Sequence, residues 1–143
     1  MNSGASKLPT VCPKGCLVSK KSLRIVIADD EVDMRDYLQK VLPRWGHLVV
    51  GVAENGTQLA CECRKTKPDL VITDLKMPNG DGVTAIKDIW QEQQIPVIVI
   101  SAYPQDIPEW LTGHPLLASV LIKPIKTADL EPIVSRIATS NHQ

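Results

Sequence analysis

Five polar residues of this sequence stand where apolar stretches end, and their types suit one kind of chemistry. They are Asp29 and Asp30, Asp74, Ser101 and Lys123. Carboxylates that meet without compensation repel one another, and the pKa of at least one of them rises. A divalent cation removes this conflict, and oxygen ligands with room for water suit Mg²⁺. If the fold brings these residues together, we expect a magnesium site.

The same residues suggest phosphoryl chemistry. A cation, a lysine and a hydroxyl around one carboxylate are the groups that hold a phosphoryl group, because its transfer depends mainly on positioning and charge neutralisation. A carboxylate can itself accept the group and form an acyl phosphate. We therefore expect Asp74 to be the nucleophile, with Lys123 as a compact positive charge and Ser101 as a hydroxyl donor.

Each residue also has an ordinary structural interpretation. The acidic run at residues 29–31 could supply the N-cap and first-turn acids of a helix, because acidic side chains are favourable at a helix N-terminus. Asp74 could be a turn residue, Ser101 a cap, and Lys123 an exposed lysine before a turn. The functional interpretation depends on all of them lying at the same edge of one sheet.

The stretches between these residues alternate between apolar runs and helical periodicity. Apolar runs predict strands at residues 23–28, 47–53, the start of 71–82, 95–100 and 119–122. Amphipathic patterns predict helices around residues 34–45, 57–67 and 83–91, a short one at 107–111, and a last one capped by Thr127. Such alternation predicts an α/β fold with a parallel sheet covered on both faces. The carboxyl ends of its strands share one edge, where ligands bind in open sheets of this class.

Composition limits the function classes. The chain has 143 residues, of which 43% are hydrophobic and 22% charged, and its formal net charge is zero. This gives no electrostatic case for nucleic acid or an anionic membrane, and no apolar run reaches transmembrane length. We expect a cytoplasmic protein with a poorly ordered extension at residues 1–22 and one domain at residues 23–140.

The four cysteines allow two interpretations. Cys12 and Cys16 lie in the predicted extension, whereas Cys61 and Cys63 lie on a predicted helix. The spacing of Cys12 and Cys16 could suit a zinc site or a redox pair. Reduced thiols, with the helix cysteines acting as small hydrophobic residues, are the favoured interpretation.

The motifs together resemble the receiver domain of response regulators in two-component signalling. They are IVIADDE at 25–31, LVITDLKMPNGDG at 70–82, PVIVISA at 96–102 and LIKP at 121–124. The resemblance spans roughly residues 23–139. It implies a three-layer flavodoxin-like fold with strand order 2-1-3-4-5, and a signalling protein rather than an enzyme.

The resemblance also implies a role for each motif residue. Asp74 would be the phosphoacceptor and receive its phosphoryl group from a sensor histidine kinase or a histidine phosphotransfer protein. Asp30 would bind Mg²⁺ directly, Asp29 directly or through water, and the backbone carbonyl of Lys76 would complete the protein ligands.

Two further motif residues have roles in the family that concern the bound phosphoryl group. Ser101 would hydrogen-bond a phosphoryl oxygen and move toward it on activation, and Lys123 would form an ion pair with it. The bond from Lys123 to Pro124 would be cis, which is uncommon enough to be a checkable prediction.

Two features depart from the family. Val120 occupies the position of the usual aromatic residue three before the lysine, so the usual Ser/Thr–aromatic switch is not implied. Tyr103 could tune access to the site or be a partly exposed turn residue.

The segment 103–118 contains Pro104, Pro108 and Pro115, which predicts a short or distorted fourth helix and leaves dimerisation through this face open.

Two alternatives to a phosphorylated receiver remain open. A receiver-like fold could serve as an interaction module without phosphorylation. An aspartyl phosphatase of another α/β class typically has Asp-x-Asp, whereas Leu75 and Lys76 follow Asp74, and no Walker A loop is present.

Overall fold

Strands and helices alternate in the computed structural model, which describes residues 21–78 and 81–140. The strands are β1 (Arg24–Ala28), β2 (Leu48–Ala53), β3 (Leu70–Asp74), β4 (Val97–Ser101) and β5 (Leu117–Ile122). The helices are α1 (Val32–Arg44), α2 (Gly56–Thr66), α3 (Gly82–Glu92), α4 (Glu109–Thr112) and α5 (Thr127–Ser140). All strand pairs are parallel, and the sheet order β2-β1-β3-β4-β5 confirms the predicted fold.

The sheet is buried on both faces, which explains why its central strands are continuously apolar. Along β1, Ile25 and Ile27 join the core beneath α1 and α5, whereas Val26 and Ala28 join the core beneath α2 and α3. All residues of β3 and β4 are buried. No helix among the described residues is long and apolar enough to cross a membrane.

Several boundaries differ from those predicted. Strand β4 begins at Val97 rather than at residue 95, because Pro96 has no N–H for the ladder and contributes only its carbonyl, to Val71 N. Strand β5 begins at Leu117, two residues earlier than predicted. Thr127 is the first residue of α5, and its hydroxyl bonds the hydroxyl of Tyr37 at 2.7 Å.

The fourth helix is short, as the prolines predict. A 3₁₀ turn at Pro104–Asp106 precedes α4, which has only four residues. Aromatic contacts stabilise this region instead: the rings of Trp90 and His114 stack at 4.0 Å, and Trp110 meets Trp90 edge to face. With so short a helix beside it, β5 is only half-buried along most of its length.

Some predictions lie outside the described residues. Residues 1–20, which include Cys12 and Cys16, are among these, so the predicted extension and domain boundaries remain predictions. Within the described part, Cys61 is exposed and Cys63 is buried, and both are free thiols. Burial, aided by the charge of Glu62, raises the pKa of Cys63 to about 12, so its thiol is neutral and behaves as a small apolar side chain.

Gly82 is required where α3 begins against the end of β3. Its N–H donates to Leu75 O at 2.8 Å, and a Cβ here would lie 2.4 Å from the backbone oxygen of Asp74. We predict that Gly82→Ala lowers the free energy of unfolding by about 1–3 kcal/mol, because the backbone that carries Asp74 must shift. Urea denaturation measures this change.

Gly113→Ala is the matched control, since a Cβ there would lie 4.0 Å from its nearest neighbour, Glu109 O. Equal losses of stability in the two variants would contradict a steric origin at Gly82.

Candidate functional site

The carboxyl edge of the sheet brings the predicted site residues together. Carboxylate oxygens of Asp29, Asp30 and Asp74 all lie within 4.8 Å of one another. Asp29 and Asp74 are buried, and Asp30 is exposed. Parallel pairing of β1, β3 and β4 produces this convergence, because it sets the ends of neighbouring strands side by side.

Lys123 is the positive charge at the centre of the cluster. Its Nζ lies 2.8 Å from Asp74 Oδ2, 2.9 Å from Glu31 Oε1 and 3.0 Å from Asp29 Oδ2. Burial alone would lower the pKa of Lys123, but the hydrogen bonds to Asp74 and Glu31 and the nearby charge of Asp29 outweigh it and raise that pKa. The ammonium is therefore charged throughout the physiological range.

The backbone fixes the position of Lys123. Its N–H donates to the carbonyl of Ser101 at 2.9 Å, which joins the ends of β4 and β5. The peptide bond to Pro124 is cis, the geometry predicted from the resemblance.

Asp29 is the least satisfied carboxylate of the group. Its Oδ1 accepts a hydrogen bond from the backbone N–H of Glu31 at 2.9 Å. Its Oδ2 is buried and, despite the nearby ammonium, has no hydrogen bond of good geometry within the described residues. Burial raises the pKa of Asp29 against the opposing effects of the Glu31 N–H and Lys123. A buried oxygen with an unused lone pair, beside two further carboxylates, fits a divalent oxygen-ligated cation.

Asp74 presents both carboxylate oxygens to the cluster. Oδ1 accepts the backbone N–H of Lys76 at 3.2 Å, and Oδ2 accepts from Lys123. The Lys76 N–H contact places that residue beside the carboxylate, while the predicted role of its carbonyl as a metal ligand stays a prediction.

Ser101 ends β4, one residue beyond Ile100, which pairs with Asp74 across the sheet. Its hydroxyl is buried and accepts the N–H of Tyr103 at 3.0 Å. The Tyr103 side chain is half exposed, and Lys76 Nζ lies 4.9 Å from the centre of its ring. Val120 is half-buried in β5 and packs against the core beneath α2 and α3.

Sequence reasoning missed several contacts at this edge. Glu31 was grouped with the acids of a helix N-terminus, but its carboxylate lies on Lys123. Arg35 donates to the backbone oxygen of Asp29 at 2.9 Å. Lys76 and Asp106 form an ion pair at 2.8 Å between the loops after β3 and β4. The third acid of the run at residues 29–31 was a signal for the Glu31 contact. The Lys76–Asp106 pair joins two loops that are far apart in the sequence, and no motif marked Arg35.

Comparison with known proteins agrees with the fold and the motifs. The family model for the response regulator receiver domain matches residues 25–135. The chain is 36% identical over 112 residues to the transcriptional regulatory protein PdtaR of Mycobacterium tuberculosis, covering 78% of this chain and 54% of that protein. It therefore spans about half the length of this curated relative.

Solved structures give the same family. The receiver domain of the PhyR response regulator from Erythrobacter litoralis superimposes with a TM-score of 0.70 at 28% identity, over 82% of this chain and 90% of that one. The response regulator TrrA of Thermotoga maritima was solved with Mg²⁺ and a beryllium fluoride. It superimposes with a TM-score of 0.68 at 25% identity, over 80% of this chain and 97% of that one.

The burial of Asp29 has a consequence for stability. Because its pKa is raised above the ordinary value of 3.8, the folded chain binds this proton more tightly than the unfolded chain does. Protonated Asp29 therefore contributes to the free energy of unfolding below pH 3.8, and this contribution is lost as the pH rises through the folded-state pKa. We predict that Asp29→Asn, measured by urea denaturation with EDTA at pH 7, raises the free energy of unfolding.

The control for this prediction is Asp88→Asn, which removes an exposed carboxylate on α3. A loss of stability in Asp29→Asn larger than in the control would show that the ionised Asp29 is net favourable, which contradicts the burial argument.

Proposed function

We propose that this chain, which belongs to the response regulator receiver domain family, accepts a phosphoryl group on Asp74 and thereby switches conformation to control an output. One observation carries the proposal. A half-buried lysine, Lys123, lies within hydrogen-bond distance of Asp74, and the carboxylates of Asp29 and Asp30 lie beside the same group.

The phosphoryl donor in this proposal is a phosphohistidine of a sensor kinase or phosphotransfer protein. An oxygen of Asp74 attacks the phosphorus, an O–P bond forms, and the P–N bond breaks with its electron pair returning to the imidazole of the donor. Lys123 neutralises charge on the phosphoryl oxygens, because its ammonium already lies 2.8 Å from the attacking carboxylate.

Asp29, Asp30 and Asp74 would hold Mg²⁺, together with the backbone carbonyl of Lys76. Bound there, the ion would neutralise the developing charge of the transferred group. The unused buried oxygen of Asp29 supports this assignment, and so does the beryllium fluoride and Mg²⁺ found with TrrA.

The switch would begin at Ser101. Its hydroxyl oxygen accepts the N–H of Tyr103, so its own O–H can donate to a phosphoryl oxygen, and a movement of Ser101 toward that oxygen would pull on the loop after β4 through the same hydrogen bond. Val120 has no ring to follow this motion, so we assign the output movement to the loop that carries Tyr103 and Asp106.

A groove beside the site supports docking of the donor. It has a volume of about 560 Å³ and lies between the start of α1 and the cis peptide, with Val32, Tyr37 and Ile125 in its lining. Glu31 also lines it, so the groove is continuous with the lysine cluster. We propose that a helix of the donor lies in this groove, from which its histidine would reach the neighbouring Asp74.

The output of the whole protein belongs to this proposal as well. We expect the chain to meet its kinase in the cytoplasm, and its own chemistry to be limited to gaining and losing the phosphoryl group. Either a further segment of the whole protein or a separate target protein would supply the output that the switch controls.

An interaction module that works without phosphorylation is the second candidate. The replacement of the usual aromatic residue by Val120 and the four-residue α4 favour it, since both lie on the expected signal route.

Phosphorylation in solution separates the two. We predict that acetyl phosphate with Mg²⁺ adds one phosphoryl group to the chain, detected by intact mass, and that EDTA prevents it. Asp74→Asn removes the acceptor and should abolish the gain, whereas the exposed-site variant Asp88→Asn should retain it. Absence of any gain in the wild-type chain would favour the second candidate.

Tyr103 is proposed to slow hydrolysis of the acyl phosphate. Its ring contacts Lys76 Nζ, and Lys76 forms an ion pair with Asp106, so these contacts would keep the aromatic side chain beside the loop that follows Asp74. We predict that the acyl phosphate of Tyr103→Ala is hydrolysed about two to five times faster than that of the wild-type chain, the factor expected from losing an exposed cation–π contact. Loss of the phosphorylated mass with time gives the rate.

Tyr103→Phe keeps the ring and should hydrolyse at the wild-type rate. If Tyr103→Ala is also unchanged, the tyrosine is an ordinary turn residue.

A further inference from the structure

Glu31 directly precedes α1, but its side chain does not cap the helix. It occupies the N-cap position with an extended backbone, and its side chain makes no capping hydrogen bond. Its Oε1 accepts instead from Lys123 Nζ at 2.9 Å, across 92 residues of sequence. The exposed carboxylate of Glu31 therefore makes a long-range hydrogen bond at the site and no local bond to the helix N-terminus.

Three carboxylates crowd the ammonium of Lys123. Its Nζ donates to Asp74 and Glu31, and Asp29 Oδ2 lies 3.0 Å from the same atom without accepting a well-formed hydrogen bond. A phosphoryl oxygen that approaches Lys123 must therefore compete with these carboxylates for its N–H donors.

Of the three carboxylates, only that of Glu31 can withdraw readily. Asp29 is 1% exposed and is held by the Glu31 N–H, and Asp74 would carry the phosphoryl group itself. The side chain of Glu31 is 61% exposed, so it can turn into water without leaving a buried charge unpaired.

We propose that Glu31 is a positioning residue that holds Lys123 in the resting state and competes with the phosphoryl group for it. Its carboxylate slows phosphorylation of Asp74 and weakens binding of phosphoryl analogues, both by occupying the ammonium and by repelling an incoming anion. This inference rests on the proposed function of Asp74.

The test compares the wild-type chain, Glu31→Gln and Asp36→Asn. Asp36 is an exposed acid on the same helix, so its variant makes the same change in net charge away from Lys123. The rate of phosphorylation by acetyl phosphate with Mg²⁺ is followed by intact mass, and beryllofluoride affinity by ¹⁹F NMR. We expect Glu31→Gln to be phosphorylated about three times faster and to bind beryllofluoride more tightly, in line with loss of one exposed ion pair.

Urea denaturation of the same variants without Mg²⁺ gives a readout that separates competition from a structural role. Competition predicts that Glu31→Gln is no more stable than the wild type although it reacts faster. The proposal is overturned if Glu31→Gln is phosphorylated at the wild-type rate or more slowly. It is also overturned if Asp36→Asn is accelerated as much as Glu31→Gln. A wild-type chain that is not phosphorylated at all refutes the proposed function itself, which is visible before any substitution is compared.

Discussion

The ion cluster around Lys123 is the interaction on which the edge of the sheet depends. Two of its three carboxylates, from Asp29 and Asp74, are buried, and taking a charge out of water costs several kcal/mol unless a partner compensates. One ammonium at 2.8–3.0 Å supplies that compensation for both. The compensation is incomplete, because Asp29 still has a raised pKa and an oxygen without a well-formed hydrogen bond.

This incomplete compensation is what a phosphoryl-accepting site requires. A cluster already neutral and fully bonded would gain little from a cation or an anion, whereas this one has an excess of negative charge facing a fixed lysine. The sheet keeps the arrangement rigid: the Lys123 N–H is tied to Ser101, and Gly82 lets α3 approach the backbone of Asp74. Binding energy can then be directed to neutralising charge rather than to ordering side chains.

The sequence was sufficient for features set by backbone periodicity. Continuous apolar runs predicted the buried strands, and the ends of those strands placed Asp29, Asp74, Ser101 and Lys123 at one edge. Contacts made by long side chains between loops could not be predicted. The Lys76–Asp106 pair and the Glu31–Lys123 pair depend on loop paths, which apolar patterning does not specify. The stacking of Trp90 on His114 was missed for the same reason, although the prolines correctly predicted the short helix that it accompanies.

Phosphorylation of this protein should place the phosphoryl group on Asp74. Borohydride reduction of the acetyl phosphate-treated protein, followed by peptide mass mapping, tests it most directly, because only an acyl phosphate is reduced to an alcohol at its own side chain. We predict the reduced side chain at Asp74, formed only when Mg²⁺ is present. Reduction at another carboxylate, or none in a sample that has gained the phosphoryl mass, would contradict it.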